Sequence, residues 1–119
     1  MTTPALLALV ATIALGVAVG VIYRLRVRRK GLVTAHLAAA LAAAGLVLAV
    51  TLLGPPPRPD APNPAWPGGL VVAATALGYG AWRLPRMTKG RAEALLGLHI
   101  VLGLAGFFVF LNWIRAPAP

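Results

Sequence analysis

The only two histidines of this 119-residue chain are the side chains best suited to ligand chemistry. His36 and His99 each follow a basic loop by a few residues, and each lies inside a long apolar run. An ionisable side chain within a membrane span is costly to bury, so it marks a candidate functional site. The chain has no cysteine, which leaves the two imidazoles as its only strong nitrogen ligands for a metal or a macrocycle. A plainer interpretation is that each histidine only hydrogen-bonds a neighbouring helix.

The composition indicates an integral membrane protein. Apolar residues make up 60% of the chain and charged residues 11%, which is more apolar surface than a soluble domain of this length buries. The apolar residues form long runs, and a membrane span must be helical unless it closes a barrel. We predict four helices, over about residues 5–23, 32–53, 69–84 and 94–113, and a proline-rich outer loop over 54–68.

Positive charge is concentrated in two loops. The formal net charge is +9, and nine of the eleven Lys and Arg lie within residues 24–30 and 83–91. Basic loops between apolar runs are typical of cytoplasmic loops, so we expect a lipid bilayer, and no nucleic acid, as the partner of this charge. The predicted fold is all-α: a transmembrane four-helix bundle of two tandem helical hairpins, N-out and C-out. The Ala-, Arg- and Pro-rich composition favours a bacterial inner (cytoplasmic) membrane.

An internal repeat relates the two hairpins. The segment YRLRVRRKG (residues 23–31) aligns with WRLPRMTKG (residues 82–90) at an offset of 59 residues (82 − 23), and His36 aligns with His99 at an offset of 63 (99 − 36). Two parallel repeats are related by an axis along the membrane normal. The repeat therefore predicts that the two histidines lie on equivalent helices, the second and the fourth, and face each other in the cytoplasmic half.

Small residues follow each histidine on the same helix face. Ala40 and Ala43 lie four and seven residues after the first histidine, and Gly103 and Gly106 lie four and seven residues after the second. They predict a slot beneath each imidazole into which a flat macrocycle fits. Small side chains also let helices approach closely, so the pattern supports a macrocycle without requiring one.

Two neutral imidazoles on facing helices suit the axial positions of haem iron, because helix bundles commonly hold cofactors between facing side chains. The neighbouring basic loops supply cations for the haem propionates. We predict Arg24 and Arg83 in this role, with Lys30 and Lys89 in reserve. With both axial positions filled, the iron is suited to electron transfer rather than to oxygen binding.

By this architecture and its paired histidines, the chain resembles the small four-helix integral-membrane b-type cytochromes. The resemblance implies one haem b between the second and fourth helices, on the cytoplasmic side, with His36 and His99 as ligands of the iron. Dihaem members of that class carry histidines at both membrane faces, whereas the outer half of this chain has none. The resemblance therefore implies electron exchange with a quinone, a soluble carrier or another redox subunit, and not transfer across the membrane by one subunit.

Two alternatives to a haem carrier stay open. Each histidine could ligate chlorophyll, since one imidazole per magnesium suffices, or the chain could be a cofactor-free accessory or assembly subunit of a larger homo- or hetero-oligomeric membrane complex. A bare metal site has too few ligands. The chain also resembles small multidrug exporters in length, but those need a carboxylate inside the membrane, and the only acids here are Asp60 in the outer loop and Glu93 at a helix start. No catalytic residue is predicted.

Overall fold

The chain folds into a bundle of four helices. The structure, a computed structural model, describes residues 1–27, 29–83 and 88–115, and within them it contains helices and no strands. In chain order the helices are α1 (Thr2–Arg24), α2 (Lys30–Leu48), which continues as a π-helical turn (Ala49–Leu53), α3 (Ala65–Arg83) and α4 (Lys89–Ile114). Helix α1 packs on α2, α3 packs on α4, and α2 joins the two hairpins by packing on α3. The predicted all-α bundle of two tandem hairpins is confirmed.

Three of these helices are long and apolar enough to cross a membrane: Thr2–Arg24, Lys30–Leu53 and Lys89–Ile114. Large apolar side chains point away from the bundle along them, including Val17, which is 62% exposed, and Phe108, also 62% exposed. Such surfaces suit contact with lipid chains. The chain is therefore a membrane protein. Helix α3, the remaining predicted span, has 19 residues. Four of them are glycine and three are aromatic.

Helices α3 and α4 begin earlier than the apolar pattern predicts. Helix α3 begins at Ala65 rather than near residue 69, because Pro67 falls in the first turn, where a missing N–H removes no hydrogen bond. Helix α4 begins at Lys89 rather than near residue 94, with the Thr88 side chain accepting a hydrogen bond from the Arg91 N–H over 3.4 Å. The residues that the second repeat has in excess therefore lengthen α4 at its start.

The hydrophobic core lies at one end of the bundle, which we call the proline-rich end because it carries the loop 54–64, together with the start of α1 and the end of α4. All four helices contribute to it, with the buried side chains Leu9, Val47, Val71, Phe110 and Trp113 at its centre. The opposite, basic end is where α1 and α3 finish and α2 and α4 begin. The helix segments between the core and the basic end are residues 10–24, 30–39, 75–83 and 88–105. No described residue in these segments is fully buried.

One arginine of the proline-rich loop, Arg58, is hydrogen-bonded to the end of α4. The buried guanidinium of Arg58 donates from Nη1 to the backbone oxygens of Asn112, over 2.7 Å, and Arg115, over 3.0 Å. Its Nε lies 3.0 Å from a carboxylate oxygen of Asp60. The last carbonyls of a helix lack partners within the helix, so Arg58 satisfies α4 where it ends.

Candidate functional site

The structure brings the two histidines together between α2 and α4. The ring centroids of His36 and His99 lie 6.0 Å apart, and the ring planes are nearly perpendicular, at 87°. Both side chains are partly buried. His36 lies four residues before Ala40, the first buried residue of α2, and His99 lies seven before Gly106, the first of α4. The pair therefore lies between the packed core and the basic end.

The His99 ring is held by a backbone carbonyl of α3. Its Nδ1 lies 2.6 Å from the oxygen of Ala74. A carbonyl only accepts hydrogen bonds, so Nδ1 carries the proton and Nε2 keeps its lone pair. Metal-binding histidines commonly have this arrangement, in which the second ring nitrogen donates to a carbonyl and fixes the orientation of the imidazole.

Each imidazole also lies against a glycine of the preceding helix in its own hairpin. A Cβ placed on Gly16 of α1 would come within 2.9 Å of Cε1 of His36, and one placed on Gly78 of α3 within 2.8 Å of both Cε1 and Nδ1 of His99. Side-chain carbons do not approach that closely, so each ring occupies space that only glycine leaves free. We call Gly16 and Gly78 the contact glycines.

The contact glycines extend the internal repeat into α1 and α3. They are separated by 62 residues (78 − 16), close to the 63 that separate the histidines. In α3 the carbonyl that binds His99 belongs to Ala74, four residues before Gly78, and the equivalent position four residues before Gly16 is Thr12. The spacing of the two glycines is visible in the sequence, but each lies on the helix before the one that carries the histidine, so the spacing alone does not connect them to the rings.

The two histidines differ in their hydrogen bonding. The Nδ1 atom of His36 is buried and has no hydrogen-bond partner among the described residues. A buried ring nitrogen without a partner is uncommon, because an unpaired polar atom costs free energy. His99 is thus oriented by a hydrogen bond to α3, whereas the backbone of Thr12, the equivalent residue of α1, lies near the His36 ring without completing one.

The small residues predicted to form a slot lie at the edge of the core. Ala40 and Ala43 are buried. A Cβ on Gly106 would lie 2.9 Å from a methyl carbon of Val71, and one on Gly103 would lie 3.8 Å from the Ala74 Cβ. Close approach of α3 and α4 therefore accounts for Gly106. A slot for a macrocycle at these positions stays a prediction.

The cations predicted to bind propionates all lie at the basic end. Arg83 ends α3, with its guanidinium 5.3 Å from the centre of the Trp82 ring and its Nε donating to the Tyr79 hydroxyl over 3.3 Å. It lies five residues beyond Gly78, or about 8 Å along the helix axis at 1.5 Å per residue. Arg24 lies eight residues beyond Gly16, or about 12 Å. Arg83 is therefore the better placed of the two arginines.

The reserve cations start the helices that carry the histidines. Lys30 and Lys89 are exposed first residues of α2 and α4. Lys30 precedes its histidine by six residues, or about 9 Å of helix, and Lys89 by ten residues, or about 15 Å. The binding of propionates by these lysines and the two arginines stays a prediction, and Lys30 is the better placed of the two lysines.

No family model, curated protein or solved structure matches the chain. Across residues 1–27, 29–83 and 88–115, no group of three or more His, Cys, Asp or Glu side chains is arranged to hold a metal ion.

Proposed function

We propose that the chain is a membrane electron-transfer protein that binds one haem b between α2 and α4, with His36 and His99 as the two axial ligands. The observation that carries this proposal is the meeting of the only two histidines across the two hairpins, with centroids 6.0 Å apart. Metal–nitrogen bonds of about 2 Å put two imidazoles on opposite sides of one metal ion with their centroids about 6 Å apart. The spacing in the structure fits that arrangement.

The hydrogen bonds favour ligation over a purely structural role. His99 Nδ1 is satisfied by Ala74, which leaves Nε2 to bind a metal ion, as in many metal sites. His36 Nδ1 completes no hydrogen bond among the described residues, although the Thr12 backbone lies near the ring. The support from hydrogen bonding therefore comes from His99.

The surroundings support a flat, negatively charged cofactor. No described residue on the basic side of the histidines is fully buried, and binding of a macrocycle would require the helix ends there to separate. Arg83 and Lys30 supply the nearest charges for propionates. Haem, when bound, would supply a one-electron redox centre, and the chain's part would be to hold the iron with His36 and His99, which would keep exogenous ligands off it.

The proposal includes an orientation and a partner class. With the basic loops in the cytoplasm, the histidines lie in the cytoplasmic half, and both termini lie outside a bacterial inner membrane. A redox centre at that depth exchanges electrons with a quinone in the bilayer or with a redox subunit at the cytoplasmic face. Chlorophyll binding and a cofactor-free accessory role are the competing proposals.

The test is a visible absorption spectrum of the full chain, purified in detergent after expression with a haem supply, before and after dithionite reduction. We expect the sharp reduced bands of a six-coordinate b haem. His36→Ala and His99→Ala should each abolish them, because one haem needs both ligands. Leu41→Ala, at a position 58% exposed on the same helix as His36, is the matched control and should retain them.

Other outcomes separate the alternatives. Pigment reduced by about half in each histidine variant would indicate two independent one-imidazole sites, as chlorophyll would use. A wild-type protein that stays colourless despite a haem supply would refute the cytochrome proposal and favour the accessory subunit.

A further inference from the structure

Two surface clefts lie at the basic end, outside the histidine site. The first, of about 430 Å³, is lined by Ile22, Arg29, Gly31, Leu32 and Ala35, so it runs between the end of α1 and the start of α2. Its walls are almost wholly apolar, and the exposed Arg29 is the charged residue among the described residues that line it. A cleft with apolar walls and an exposed arginine suits an amphiphile, whose anionic headgroup would contact the arginine and whose apolar chain would contact the walls.

The second cleft, of about 300 Å³, lies at the start of α4 and is lined by Arg91, Ala94, Leu95 and Leu98. It again combines an exposed arginine with apolar walls.

The two clefts are related by the helix register of the internal repeat, the offset of 63 residues that also relates the histidines, and not by the loop offset of 59. In that register Gly31, Leu32 and Ala35 of the first cleft correspond to Ala94, Leu95 and Leu98 of the second. The arginines are offset by 62 (91 − 29). An arginine beside apolar helix positions therefore occurs near the start of both α2 and α4, and the first cleft also includes Ile22 of the preceding helix.

We propose that these clefts bind anionic phospholipids, with the phosphate at the arginine and the first methylene groups of an acyl chain against the apolar walls. The clefts lie at the ends of membrane-spanning helices, at the level of the basic loops, where lipid phosphates of the same leaflet lie. Basic pockets between membrane helices bind acidic headgroups in this way. The proposal is independent of haem binding, because no histidine lines either cleft.

The charges beside the clefts predict that the first binds more tightly. Arg29 lies in the chain within a run of three basic residues, 28–30. Glu93, two residues after Arg91, lowers the net charge at the start of α4. A basic residue at the lipid headgroup strengthens attraction by roughly five-fold in affinity, and the effect falls off with distance from the headgroup.

Native mass spectrometry of the full chain, released from detergent in the presence of phosphatidylglycerol or of phosphatidylcholine with the same chains, tests the proposal. We expect up to two phosphatidylglycerol molecules to be retained per protein, and phosphatidylcholine to be retained weakly. Arg29→Gln should lower the affinity of the tighter site by about five-fold. Arg91→Gln should affect the weaker site.

Arg26→Gln is the matched control, because Arg26 is exposed in the same loop and carries the same charge but does not line the cleft. It should change the affinity by less than about two-fold. An equal loss in Arg26→Gln and Arg29→Gln would show that net charge alone attracts the lipid, and would overturn the proposal. Equal retention of phosphatidylcholine, or displacement of phosphatidylglycerol by glycerol phosphate at matched concentration, would also overturn it.

Discussion

Replacing Gly78 by alanine should displace the His99 imidazole from α3. The added Cβ would lie 2.8 Å from Cε1 and Nδ1 of the ring and 3.4 Å from Cγ. Non-bonded carbon atoms rest about 3.5–4.0 Å apart, so the ring has to move by about 0.8 Å. A movement of that size stretches the 2.6 Å contact between Nδ1 and the Ala74 oxygen to the limit of a hydrogen bond.

The expected change in the free energy of unfolding follows from three terms. Loss of the Nδ1 hydrogen bond costs about 1 kcal/mol, and overpacking at the contact costs about 1–3 kcal/mol. Alanine favours a helix over glycine by about 1 kcal/mol. Gly78→Ala should therefore destabilise the protein by about 1–3 kcal/mol.

Gly80→Ala is the matched control. A Cβ on Gly80, two residues further along the same helix, meets no atom within 4 Å. That variant should gain the helix propensity alone, about 1 kcal/mol. The two alanine variants should thus differ by about 2–4 kcal/mol. Reversible unfolding in mixed detergent micelles, followed by far-ultraviolet circular dichroism, measures the difference.

The contact with His99 can be isolated by a double-mutant cycle. In a His99→Ala background the ring is gone, so Gly78→Ala and Gly80→Ala should have nearly the same stability. Two results would refute the reasoning: equal stabilities of the two alanine variants with His99 present, or a difference that persists without it.

Two further predictions concern the proline-rich end. Phe110→Ala should lower the free energy of unfolding by about 3–5 kcal/mol, because the ring is fully buried in the core. Phe108→Ala, at a position 62% exposed, should lower it by less than about 1 kcal/mol. Similar losses of thermal stability in the two variants would contradict this placement of α4. Arg58→Gln should cost about 2–4 kcal/mol through its charge-assisted bonds to the end of α4. Asp60→Asn should cost under about 1 kcal/mol, since that carboxylate is 79% exposed; equal effects in chemical unfolding would show that the ion pair, and not the helix end, matters.

Much of the fold could be predicted because its causes are local. Long apolar runs separated by basic or proline-rich segments specify helices whatever their neighbours do. The repeat then placed His36 opposite His99 without any knowledge of packing. The boundaries were less predictable. Apolar content does not reveal that Pro67 occupies a helix start, and the π-helical turn over Ala49–Leu53 changes the backbone bonding without a signal in residue type.

Other features depend on contacts between distant residues. The contact glycines are related by an offset of 62 residues. Because the chain has 13 glycines, such an offset is informative only once the structure shows each glycine in contact with a histidine ring. Arg58 lies in a loop whose composition suggests an exposed connection. Arg58 is buried because its guanidinium binds carbonyls at the end of α4, more than fifty residues away in the chain. No local sequence pattern predicts such a contact.

The uneven placement of buried side chains has a consequence for how the protein matures. Local stability follows buried contacts, so the proline-rich end, with Phe110 and Trp113, can hold all four helices together by itself. If haem binds as proposed, the helix segments that carry His36 and His99 would open and close around it while that end remains folded. Haem loading would then be a late step on an assembled bundle. Amide protons near Phe110 should accordingly exchange with solvent more slowly than those near His99.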